Sequence, residues 1–245
     1  MPFSMVLLGL MNNYGYFRLD SWYLILIVPA MLISLLASIS VRKTFDQFNR
    51  RTAASGHTGQ SAARSILNKN GLTNVVIERV AGNLTDHYDP RTQRLRLSES
   101  TYGSSSIAAI GVAAHEAGHA IQHNEGFWAN SLRSTLVPVA RIGSTVGPYL
   151  ALFGLILQIS MLTGIGIVLF SAAVLFYLVT LPVEFDASRR AIRVLEEQGM
   201  LTADELTGAR RVLRAAAMTY VASALLSFAS LLRLILLSRG RSGRK

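Results

Sequence analysis

Three uncharged apolar runs divide the chain, with charged, amphipathic stretches between them. The first, WYLILIVPAMLISLLASISV at residues 22–41, is about as long as a helix that crosses a bilayer. Trp22 and Tyr23 suit an interfacial edge at one end, and Arg42, Lys43, Arg50 and Arg51 follow the other. Basic residues after the run, and no small-residue cleavage pattern, favour a membrane helix over a removed signal peptide. The second run, residues 142–183, is too long for one crossing and about right for two. A tight turn after Ser160, near Gly164 and Gly166, would make it a transmembrane hairpin. The third, residues 215–232, is rich in Ala and Ser, which lets helices pack closely in lipid. Together these predict about four transmembrane helices.

Between the first two runs the pattern is that of a small α+β domain. GHTGQSAARSILNKNGL reads as a helix with Thr58 as N-cap, Ala62, Ala63, Ile66 and Leu67 on one face, and Gly71 at the stop. NVVIERVAG is a strand ended by glycine, Asp89-Pro90 is a turn, and RLRLS alternates as a half-exposed strand does, with Leu95 and Leu97 inward. Serines 104–106 then cap an alanine-rich helix, IAAIGVAAHEAGHAIQHN. After the hairpin, LPVEFDASRRAIRVLEEQG reads as an amphipathic helix ending near Gly199, and Thr202 caps the next. The chain has no internal repeat, and the tail RSGRK reads as disordered.

Composition narrows the class. Only 16% of the 245 residues are charged against 51% hydrophobic, where a soluble domain averages about 25% charged. The net charge of +10 is spread along the flanks of apolar runs, so it reads as topology marking and contact with anionic headgroups. It does not form a nucleic-acid patch. By the positive-inside bias, residues 42–133 are cytoplasmic, and the hairpin returns the chain to that face. If the last run crosses, the basic tail ends outside, against the bias. With no cysteine, disulfides and thiolate metal sites are excluded.

The chemistry sits in HEAGH. His115 and His119, four apart on a helix, share a face and can reach one ion, with Glu116 between them. A catalytic zinc site keeps one position for water, and Glu116 is placed to act as its base. A third ligand must come from elsewhere. His123 lies about 12 Å from His115 along the axis at 1.5 Å per residue, too far to share an ion, which leaves it an outer partner or solvated. Glu125 occupies the third-ligand position of the longer metzincin pattern, but Gln122 stands where that pattern wants glycine. Glu184, just after the hairpin, is the better candidate; a carboxylate favoured by the helix dipole is the alternative.

LTDHYDPRTQRLRLSE and SIAAIGVAAHEAGHAIQH, with FDQFNRR and AAAMTYVASALL beyond them, resemble the membrane neutral zinc metallopeptidase family of the YugP type. The arrangement is also similar to that of HtpX-type membrane proteases. There a cytoplasmic H-E-x-x-H helix precedes a transmembrane hairpin, and a glutamate beyond it completes the zinc site. That resemblance implies Glu184 as the third ligand. The HtpX-type signature has alanine and aspartate three and four places after this glutamate. Here Ala187 and Ser188 follow, with Asp186 two places on, so the role of Asp186 is open: it orients a histidine ligand or solvates the helix.

The expectation is therefore a mainly α membrane protein with a cytoplasmic α+β, zincin-like metallopeptidase domain. Its segments are residues 1–41 (N-terminal segment and first membrane helix), 42–133 (zinc peptidase domain), 134–183 (hairpin), 184–214 (helices supplying the third ligand) and 215–245 (last membrane helix and basic tail). One catalytic Zn2+, a bilayer and a peptide or membrane-protein substrate are implied. A membrane partner or a second copy is left open. The location is a bacterial cytoplasmic membrane with the site facing the cytoplasm. RLRLSE is a candidate to bind substrate as an added strand, and His87 and Tyr88 are candidates to stabilise the transition state. Two alternatives remain. A non-catalytic scaffold with a structural metal site would have no need of Glu116. A transporter would put ionisable residues deep in the apolar runs, where none lies.

Overall fold

The structure, a computed structural model, describes residues 20–242. The segment before Asp20, and the last three residues of the tail expected to be disordered, lie outside the described residues. In chain order the elements are α1 (Tyr23–Asn49), α2 (Gly59–Lys69), β1 (Val76–Val80), β2 (His87–Asp89), β3 (Arg94–Ser98), α3 (Glu99–Tyr102), α4 (Ile107–Asn124), α5 (Trp128–Leu157), α6 (Ser160–Glu197) and α7 (Ala203–Ser242). Four of them, α1, α5, α6 and α7, are long and apolar enough to cross a membrane.

The long helices run further than the apolar runs suggested. The amphipathic stretch after the hairpin is the second half of α6, and the last apolar run is the second half of α7. A change from apolar to charged residues does not end a helix, because only caps and chain breakers do. Pro182 lies inside α6, where it removes one backbone donor without ending the helix. The hairpin turn comes just before Ser160 and not after it. Gln158 takes the left-handed φ of 63° there, and Gly164 and Gly166 are helical.

The described chain divides into two compact units. One takes the described residues up to Leu35, Thr135–Leu178 and the described residues from Ala222 on. Its interior is thin: Ala151, Leu155, Phe170, Ala173 and Leu231 form one cluster, and Ile27, Ala30 and Ala229 another. Gly166 lets α5 and α6 close on each other, since a Cβ there would lie 2.3 Å from the Ala151 backbone nitrogen. Large apolar side chains such as Leu36, Tyr149, Phe153, Met161 and Val168 point outward across the two units. Asp20 and Arg233 pair at 2.6 Å, with the guanidinium over the Tyr23 ring.

The other unit takes Leu36–Ser134 and Val179–Val221. Its core joins Phe45 and Phe48 of α1, Ile66 and Leu67 of α2, Leu95 and Leu97 of β3, Ile107 and Ile110 of α4, and Leu195 and Val212 of the two last helices. The Thr58 hydroxyl accepts from the Ser61 amide, and Ser61 returns the bond to the Thr58 amide. Gly71, at φ 72°, lets the Leu72 amide turn back to the Leu67 carbonyl and end α2. Ser106 caps α4 by accepting from the Ala109 amide.

The sheet order is β1-β3-β2, with β1 parallel and β2 antiparallel to β3. Leu95 and Leu97 are fully buried while Arg94 and Arg96 turn outward to Glu78. β3 is therefore the central strand. Its backbone is paired on both sides, so RLRLSE cannot take a substrate strand as expected. The free edge on that side belongs to β2.

Candidate metal centre

Helix α4 brings HEAGH into the interior of its unit because nearly everything around it is small. Ala113, Ala114, Ala117 and Ala120 are buried, and α6 packs against the face between the two histidines. Gly118 is what permits this approach. A Cβ on it would stand 2.8 Å from the Ala187 carbonyl oxygen. The absence of that Cβ brings Glu184, one turn before Ala187, to the two imidazoles.

The His115 and His119 rings meet edge to face with centroids 4.6 Å apart. Glu184 Oε2 lies 3.3 Å from His115 Nε2 and 3.7 Å from His119 Nε2. One ligand atom from each of the three side chains falls within 4.8 Å of the others. Glu184 is 3% exposed and its Oε2 has no hydrogen-bond partner. A buried, unpartnered carboxylate oxygen beside two imidazole nitrogens is costly unless a cation satisfies it. The donor set, two nitrogens and one oxygen without sulfur, fits zinc in a three-ligand site.

The other ring nitrogens are held from behind. Gln122, fully buried, donates through Nε2 to the Val183 carbonyl at 2.9 Å and to Asp186 Oδ2 at 2.8 Å. Both of those partners can only accept, which turns the Gln122 oxygen to His119 Nδ1 at 3.1 Å. His119 must then donate through Nδ1, leaving the Nε2 lone pair for a metal. Ser188 Oγ meets His115 Nδ1 at 3.2 Å. Asp186 thus reaches a histidine through Gln122 and is itself braced by Arg190 at 2.6 Å. Arg190 also holds Glu125, at 2.5 Å, which occupies that carboxylate elsewhere.

Glu116 is 8% exposed and lines a cleft of about 240 Å³ with His115, Glu184, Asp86 and Tyr220. Burial pushes its carboxyl above the usual carboxylate range, against the pull of the two histidines. Burial acts on His119 in the opposite sense to its net shift. The adjacent Glu184 outweighs burial and holds the imidazole above its ordinary 6.5. Zinc needs that imidazole neutral, so protons compete with it. A raised pKa means that imidazolium displaces the ligand earlier as pH falls. As pH falls, zinc affinity should therefore begin to drop while still above pH 6.5, where an ordinary histidine would be mostly neutral. Chelator competition across this range measures it, and an affinity flat down to about pH 6 would contradict the sign.

The remaining expected residues lie apart from this cluster. His123 is exposed, and its Nδ1 meets the Tyr88 hydroxyl at 3.0 Å. His87 is engaged by the Thr85 carbonyl at 2.8 Å and by Arg96. Neither His87 nor Tyr88 lines the cleft. Tyr220, whose side chain reaches Glu184, does. Arg133 approaches Glu184 Oε1 at 3.4 Å. Gln122, Ser188, Arg133 and Tyr220 carried no signal of their own in the sequence. Only the position of Ser188, four after Glu184, marked it.

The family model described as "Putative neutral zinc metallopeptidase" matches residues 23–239. A relative from Bacillus subtilis (strain 168), "Putative membrane protease YugP", is 46% identical over 215 residues, which are 88% of this chain and 96% of the relative. No solved structure matches the chain significantly.

Proposed function

Because the chain belongs to the neutral zinc metallopeptidase family, we propose that it is an integral membrane endopeptidase that hydrolyses peptide bonds at the His115–His119–Glu184 site. The observation that carries this reading is the unpartnered Glu184 oxygen between two oriented imidazoles, with a buried carboxylate, Glu116, lining the same cleft. His115, His119 and Glu184 would hold one zinc ion. When bound, zinc supplies Lewis acidity that makes a water nucleophilic near neutral pH. Glu116 takes a proton as the water oxygen attacks the peptide carbonyl carbon. It then gives that proton to the leaving nitrogen as the C–N bond breaks. Its raised pKa suits both halves of that exchange. Gln122 and Ser188 keep the imidazoles aimed, with Asp186 positioning Gln122. Tyr220, in place of His87 and Tyr88, would donate its hydroxyl to the oxygen that gains negative charge, since it lines the cleft and its side chain reaches Glu184.

The substrates are membrane or membrane-proximal proteins, since Glu184 sits on the same helix as an apolar span. The site faces the cytoplasm, on the basic flanks of the first and second runs. A scaffold with a structural metal fits less well, because it leaves a buried, charge-bearing Glu116 without purpose. One experiment tests activity and facing together. Inside-out vesicles carrying the chain should cleave an added unfolded polypeptide, stop with an impermeant chelator and resume with zinc. Right-side-out vesicles should do so only after detergent opens them. Metal binding without cleavage would favour the scaffold, and cleavage by sealed right-side-out vesicles would reverse the facing.

A further inference from the structure

Helices α6 and α7 form the two walls of a second groove, of about 470 Å³. Arg189 and Arg193 stand on one wall, Arg210 and Arg214 on the other, all four exposed. Each pair is four residues apart and so lies on one helix face. Ile192 and Leu213 are buried beneath them. Glu196 is the single acidic residue in the lining, 3.8 Å from Arg210. Arg189 has only a 3.8 Å approach to Asp186, and Arg193 and Arg214 make no ion pair among the described residues. Such a groove is strongly positive, with an apolar floor.

It also adjoins the catalytic cleft. The two share Ser188, Leu213 and Ala217, and Ser188 is the residue that meets His115. A polypeptide lying past His115 and Glu116 would carry its flanking residues to the arginines on the other side of these shared residues. We propose that this groove is a substrate subsite that takes acidic side chains flanking the bond to be cleaved. The inference rests on the peptidase reading and names its substrate class: acidic segments. Guanidinium forks pair with carboxylates in two-pronged fashion. An anionic lipid headgroup would meet the same charges, but it would have no use for a wall in common with the cleft.

The test uses the full chain in lipid nanodiscs and peptides that differ only in Glu, Gln or Lys at positions flanking the cleaved bond. Exposed ion pairs each contribute a factor of a few, so kcat/KM should favour Glu over Lys by about tenfold at one or two positions. Arg193→Glu with Arg214→Glu should turn that preference toward Lys. If this variant does not fold, the wild type decides alone: its acid preference should shrink in about 0.5 M salt. A wild type without acid preference overturns the inference and leaves the peptidase standing. So does a double variant that cleaves with the original preference. Activity that follows the anionic lipid content of the nanodisc, and not the charge of the peptide, assigns the groove to a headgroup and also overturns it. Absence of any Glu116-dependent cleavage refutes the peptidase and this subsite together.

Discussion

Glu184→Ala should lower zinc affinity by more than about 100-fold, while His123→Ala changes it by no more than about twofold. Both are acidic-site or histidine positions near H-E-x-x-H in function or sequence, yet the structure separates them. Glu184 Oε2 approaches His115 Nε2 at 3.3 Å and His119 Nε2 at 3.7 Å from a different helix. His123 faces outward to the Tyr88 hydroxyl. Loss of an outer partner typically costs about 10–100-fold, so removal of one of three direct ligands should exceed that. Graded chelator dialysis of both variants gives the affinities. A His123→Ala protein that loses its metal while Glu184→Ala keeps it would reverse the assignment.

Glu116→Gln has the second large effect, and it falls on a different quantity. The amide has nearly the shape of the carboxylate and replaces no metal ligand, so zinc should stay bound. On the proposed mechanism, what disappears is the group that takes and returns the proton. General acid–base catalysis contributes about 10²–10⁴-fold, and hydrolysis should fall by at least that much. Glu116 is buried beside the histidines and its carboxyl is raised by that burial, so it holds a transferred proton more readily than an ordinary carboxylate. Equal turnover by the variant, at equal zinc content, would mean that another group is the base.

How much of this could be read from the chain alone depends on how local each feature is. The pair His115 and His119 is set by the pitch of one helix, and the caps at Thr58 and Ser106 by neighbours three residues away. Such features are legible. Alternation in RLRLS correctly separated Leu95 and Leu97 from Arg94 and Arg96, but it says which face a residue takes and nothing of which strand lies beside it. Hence β3 proved central where a free edge was expected. Charge likewise marked where apolar runs end, though not where helices end, and α6 continues through Pro182 to Glu197. Glu184 is the better candidate from its place just after the hairpin, and the family resemblance implies it as the third ligand. Gln122 and Ser188 are ordinary residues until α4 and α6 pack at Gly118 and turn them toward the imidazoles. Tyr220 comes to the cleft from α7, a hundred residues beyond His115 in order of magnitude, and nothing local announces it.

Product formation at matched metal content is the decisive measurement. Purified wild type and Glu116→Gln, each loaded with one zinc per chain, should be given the same unfolded polypeptide and the fragments read by mass spectrometry. The wild type should release internal-cleavage fragments that the variant does not. Fragments formed equally by both, or by neither with zinc in place, would contradict a peptidase built on His115, Glu116, His119 and Glu184.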